Sequence, residues 1–73
     1  MTINKQIGKR IQYLRKQKGV SQLDLALDAG VNRNYLSDLE RGERNPTLKV
    51  LVRIAEALGV DLSTLVKGVK EDQ

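Results

Sequence analysis

The chain has 73 residues, with 13 Lys and Arg against 9 Asp and Glu, and a net charge of +4. It has neither cysteine nor histidine, which excludes disulfides, thiolate zinc sites and most histidine-dependent hydrolytic triads. A chain this short makes one domain across 1–73, burying only about 60% of its unfolded surface; no apolar run comes near the roughly 18 residues that cross a membrane and no signal-peptide apolar region opens it, so a cytoplasmic protein without metal or cofactor is expected.

Residues 1–18 carry Lys5, Lys9, Arg10, Arg15, Lys16 and Lys18 and no acid, which suits a polyanionic partner or a solvated surface. In the same stretch Ile3, Ile7, Ile11 and Leu14 recur at i, i+4, i+8 and i+11, predicting a first helix over about 4–18 with one apolar stripe. Gly8 inside it costs about 1 kcal/mol relative to Ala, and close approach of another backbone is one reason to keep it. Ser21 caps a second helix, Gln22–Ala29, with Asp24 three positions on in the manner of a capping box. Leu25, Ala26 and Ala29 face inward, while Leu23 and Leu27 lie on an exposed flank. After Gly30 and Val31, Asn32 caps a third helix, Arg33–Arg41. Its buried positions are Val31, Leu36 and Leu39, which leaves Arg33, Asn34, Ser37 and Asp38 on the other side. Thr47, after Pro46, caps a fourth helix over Leu48–Leu58 with the stripe Leu48, Leu51, Ile54, Ala55 and Leu58. Asp61 caps a fifth, Leu62–Val66, with Leu62 and Leu65 inward. The polar tail 67–73 is expected to fray from a core of about 7–66. Gly19, Gly30, Gly42, Gly59 and Gly68 each follow a helical pattern, where a left-handed cap is expected. No stretch alternates with period two, so the fold is all-α, a compact five-helix domain.

Two short helices joined by a tight turn at Gly30, between the small Ala29 and the apolar Val31, are the pattern of a helix-turn-helix whose second helix enters the DNA major groove. Arg33 stands at the end of the third helix that would enter the groove, and its fork can bond guanine O6 and N7 together, or a phosphate. Asn34 can read adenine or stay solvated. Tyr35 has an apolar ring that suits the core and a hydroxyl at its tip. Ser37 and Asp38 lie one turn on; Asp38 can accept from cytosine N4 or serve as a selectivity or solubility charge. Gln22, at a helix N-terminus with free N–H groups, suits a phosphate.

The set Ser21, Gln22, Leu25, Ala26, Gly30, Val31, Ser37, Glu40, Arg41, Gly42, Pro46, Leu51, Ile54, Ala55 and Leu58 resembles the phage repressor and Cro type of helix-turn-helix, over about 7–65. The run NRNYLSDLERGERNPTL is more narrowly similar to the small controller proteins of restriction-modification systems. The resemblance implies a lambda-repressor-like fold and a transcriptional regulator that binds a palindromic operator as a homodimer. It implies backbone binding by Gln22, base contact by Arg33, a Tyr35 hydroxyl near a phosphate, and a loop of Arg44, Asn45 and Thr47 along the DNA backbone. It also implies an Arg15–Glu40 pair that clamps the recognition helix, and a dimer surface around Val60, Leu62, Leu65 and Val66. The alternative is an antitoxin or co-regulator whose main surface binds protein, for which Leu23 and Leu27 speak. An enzyme is not expected.

Overall fold

The computed structural model describes residues 1–71 as five α-helices: α1 (Ile3–Lys18), α2 (Gln22–Ala29), α3 (Arg33–Glu40), α4 (Leu48–Leu58) and α5 (Leu62–Leu65). Each begins at a side chain that takes up an orphan N–H of its first turn. Thr2, Ser21, Thr47 and Asp61 accept from the backbone N–H of Lys5, Asp24, Val50 and Thr64, and Asn32 from those of Asn34 and Tyr35. The caps expected at Ser21, Asn32, Thr47 and Asp61 are thus all in place, and Thr2 adds one. The third and fifth helices each stop one residue early, with Arg41 and Val66 as their C-caps.

Every helix contributes to one core. Ile11 of α1, Leu25 of α2, Leu36 and Leu39 of α3, Ile54 of α4 and Leu65 of α5 are all fully buried, each side chain contributing about 1.5–3 kcal/mol of transfer free energy. Around that core α1 packs on α3, α4 and α5, and α2 on α3 and α4. Two stripe positions do not join it: Ile3 is 41% exposed and Leu48 66%. Each is the first residue of its helix, where the stripe has the right phase but no element packs against its outer end.

Two glycines fix how α3 sits. At Gly30 the backbone turns left-handed (φ 69°). The Gly30 N–H reaches the Ala26 and Leu27 carbonyls, and the Val31 N–H reaches Ala26 O at 3.0 Å. This is a Schellman closure that turns the chain from α2 into α3. At Gly8 a Cβ would stand 2.7 Å from the Glu40 carbonyl oxygen and closer still to that of Leu39, so α1 and the end of α3 meet backbone to backbone, the close approach raised above for Gly8.

The chain end departs from the expected frayed tail. Val69 packs on the core. Gln6 grips Lys70 twice, its Nε2 donating to Lys70 O and its Oε1 accepting from Lys70 N, both at 2.8 Å. Of the tail 67–73, residues 72 and 73 lie outside the described residues.

Candidate nucleic-acid interface

The third helix is held by its apolar face and presents its polar one. Leu36 and Leu39 are buried, so at 3.6 residues per turn Arg33 and Asn34 fall on the solvent side, where both are exposed, with Ser37 and Asp38 half-buried. Its far end is clamped. Arg15 donates to Glu40 through Nε (2.7 Å) and Nη2 (3.0 Å) and to the Val20 carbonyl through Nη1 (3.0 Å). Glu40 is a buried acid, and its hydrogen bond raises the Arg15 guanidinium above its ordinary value. The pair implied by the family resemblance is therefore formed, in the bidentate geometry that suits arginine and carboxylate. Gln22 joins it, donating from Nε2 to Glu40 Oε1 at 3.1 Å, which ties the start of α2 to the end of α3.

The solvent side carries a second network. Asp38 accepts from Arg41 Nη2 through one oxygen and from Arg44 Nε at 3.3 Å through the other. Arg41 also donates through Nη1 to Ser37 Oγ (2.6 Å) and through Nε to Glu43 (3.2 Å), and these carboxylates raise its guanidinium above the ordinary value, Glu43 first. Arg44 lies over the Tyr35 ring, 5.5 Å from its centroid, a cation–π distance. The ring itself packs against the core, so Tyr35 serves as a platform for Arg44. Five of the candidate residues thus lie on one surface: Arg33, Tyr35, Ser37, Asp38 and Arg44. Arg41 and Glu43 belong to it and are absent from the sequence-based set, although the i, i+3 spacing of Asp38 and Arg41 is a helical pairing signal.

Other candidates sit at the margin. Asn34 is exposed beside Arg33. Thr47 caps α4, and Asn45 is exposed in a shallow depression beside Thr2 and Asn4 at the start of α1. Of the basic residues in 1–18, three are engaged within the fold. Arg15 holds Glu40, Arg10 donates to the Thr64 and Leu65 carbonyls at the end of α5, and Lys18 donates to Ala57 O at 2.8 Å. The N-terminal charge run therefore contributes less free charge than its composition implies.

At the other end, Val60, Leu62 and Val66 are half-buried at the edge of the core. Leu65 is wholly inside it, with no exposed surface, so its place in a dimer surface is corrected: on a single-turn helix the side chain that plugs the core cannot also face a partner. Leu23 and Leu27 are exposed as expected, Leu27 by 70%. Among the described residues no cluster of acidic side chains is arranged to hold a metal ion, and no helix is long and apolar enough to cross a membrane.

A helix-turn-helix family model matches residues 11–65, from within α1 to the end of α5. The uncharacterized HTH-type transcriptional regulator y4dJ of Sinorhizobium fredii (strain NBRC 101917 / NGR234) is 41% identical over 71 residues, covering 97% of this chain and 92% of that protein. The immunity repressor protein of Bacillus phage phi105 is 40% identical over 70 residues, covering 92% of this chain and 49% of the repressor, so the chain spans about half that repressor's length. Among solved structures, the restriction-modification controller protein C.AhdI from Aeromonas hydrophila superposes with a TM-score of 0.83 at 37% identity, covering 85% of this chain and 94% of that one. With a family match across most of its length and relatives of this identity, the chain belongs to the helix-turn-helix family of transcriptional regulators.

Proposed function

We propose that the chain regulates transcription by binding double-stranded DNA sequence-specifically, as a homodimer on a palindromic operator. The observation that carries this is the presentation of α3. Its apolar face is buried and its end clamped by Arg15–Glu40, while Arg33 and Asn34 stand exposed at the end that enters a major groove. Arg33 and Asn34 read base edges. Ser37 and Asp38 face the groove one turn on. Gln22, Tyr35 with Arg44, Asn45 and Thr47 lie along the phosphates. A controller protein or phage-type repressor is the kind of regulator supported by the relatives' names.

The test is selection of bound duplexes from a random pool, followed by Arg33→Ala. Wild-type protein enriches a two-fold symmetric site. The variant loses about 1–3 kcal/mol on that site and loses discrimination at one base pair per half-site. Equal weakening on all sequences would remove Arg33 from base reading. A second reading, an antitoxin or co-regulator that works through protein contact, has the exposed Leu23 and Leu27 in its favour. Replacing both with Gln leaves DNA affinity unchanged if that flank serves a protein partner, and a loss of DNA affinity would place it in the DNA interface instead.

A further inference from the structure

Arg41 and Arg44 follow α3 and lie on its solvent side through their bonds to Asp38, and neither is idle. All three nitrogens of the Arg41 guanidinium are engaged, by Glu43, Ser37 and Asp38. Arg44 is bonded through Nε to Asp38 and stacked on Tyr35, and its two terminal nitrogens make no hydrogen bond among the described residues. One carboxylate, Asp38, therefore holds both arginines, and it does so from the helix that faces DNA. A phosphate can reach the terminal nitrogens of Arg44 without breaking the Asp38 bond, but the Asp38 carboxylate stays beside both guanidiniums, offsets part of their charge and repels the polyanion unless it finds another donor.

We propose that Asp38 is a specificity-determining residue that acts as an internal competitor for phosphate. On arbitrary DNA the Asp38–Arg41–Arg44 network stays closed, and the two arginines give the duplex little of their charge. On the operator a cytosine N4 amino group, the one base-edge donor in the major groove that suits a carboxylate at a G·C pair, takes over from the arginines. Arg41 and Arg44 then turn to phosphates, Arg44 from its seat on Tyr35. The network so penalises sequence-independent binding, which is almost wholly electrostatic, and leaves operator binding intact. This rests on the proposed reading of α3 as the DNA-facing helix.

The experiment compares Asp38→Ala with Glu56→Ala, which removes the same charge from an exposed position of α4. Each is measured with wild type against random-sequence duplex, heparin and the selected operator over a salt series. The arginine Nε–H exchange of the free proteins is followed by NMR. Asp38→Ala is expected to bind random duplex and heparin about three- to tenfold more tightly, the scale of one or two exposed ion pairs. Its salt slope on random DNA steepens by about one to two, its operator affinity does not rise, and the Nε–H of Arg44, which donates to Asp38, exchanges faster, while that of Arg41, which donates to Glu43, serves as the internal reference. Glu56→Ala shows none of this. An equal gain by Glu56→Ala, a parallel gain on operator and random DNA, or unchanged affinity and exchange would each overturn the proposal. If wild type selects no sequence, the reading of α3 falls instead, and heparin binding with Nε–H exchange still decides whether Asp38 withholds the arginines.

Discussion

Gly8 shows how much one missing methyl group can decide. Placing Ala in a helix interior favours the helix by about 1 kcal/mol over Gly. Here the added Cβ would stand 2.7 Å from a backbone carbonyl that no rotamer can move away, and overpacking of this kind costs about 1–3 kcal/mol. Gly8→Ala is therefore expected to lower the melting temperature, where each kcal/mol is worth about 4–8 °C in a domain of this size; a variant that melts at or above wild type would show that the α1–α3 contact gives way cheaply. Glu40 is the other decisive residue. Its side chain is 3% exposed and that of Arg15 11%, so removing the acid strands a guanidinium with little access to water. Breaking a buried pair costs about 3–5 kcal/mol. Arg15 keeps the Val20 carbonyl, which puts Glu40→Ala near 3 kcal/mol, a large part of the roughly 4–11 kcal/mol a domain of this length holds. Urea unfolding reads this as a lower midpoint, and an unchanged midpoint would make the pair ornamental to the fold.

At the scale of elements, α5 is the most dependent. A single turn does not hold itself in water. It is fixed by Leu65 in the core, by Arg10 on its last carbonyls and by Asp61 at its start. Hydrogen bonds from Thr64, side chain and backbone, and then from Ser63 hold the Asp61 carboxyl below the usual carboxylate range. The fold therefore prefers the ionised form. Its stabilisation is complete above the unfolded value near pH 4 and is lost as pH falls through the lower folded value. The amide resonances of Ser63 and Thr64 should titrate below about pH 4, and Asp61→Asn, which still caps, should abolish that step while leaving α5 in place at neutral pH; resonances flat through that range would remove the cap from acid sensitivity. The element boundaries were legible in the sequence because each start carries Ser, Thr, Asn or Asp and each apolar stripe keeps one phase. Periodicity fixes the direction of a stripe and not how far a neighbour extends along it, which is why Ile3 and Leu48 share the phase of their stripes and still stay exposed. Four residues of helix are too few for the phase to separate a core face from a partner face, so the sequence offers Leu65 to both and only the fold puts it inside. The Arg15–Glu40 clamp was visible through resemblance, whereas the Asp38 network depends on where the loop after α3 returns Arg44, which no spacing within a helix encodes.

The whole molecule must solve a problem that α3 alone cannot. Eight residues at about 1.5 Å rise make a helix about 12 Å long, enough to follow roughly four base pairs and far too few to mark one site. A second copy related by two-fold symmetry doubles the site, with half-sites about 34–36 Å apart. The apolar surface at the edge of α5, from Val60, Leu62 and Val66, is where we place that contact, which must bury about 1,200 Å² in total to be stable. Leu62 and Val66 are half-buried and Leu65 is fully buried, which makes the three separable. Leu62→Asp or Val66→Asp should shift the sedimentation coefficient from dimer to monomer while helical circular dichroism persists. Operator binding should then weaken at low protein concentration, because assembly on DNA must supply the association that no longer occurs in solution. Leu65→Asp should instead unfold the chain, since it puts an unpaired charge where no water reaches. A wild-type chain that sediments as a monomer at micromolar concentration would overturn the solution dimer and leave pairing to the operator, whereas a Leu62→Asp variant that stays dimeric would move the contact to another face, with the exposed Leu23 and Leu27 the next surface to substitute.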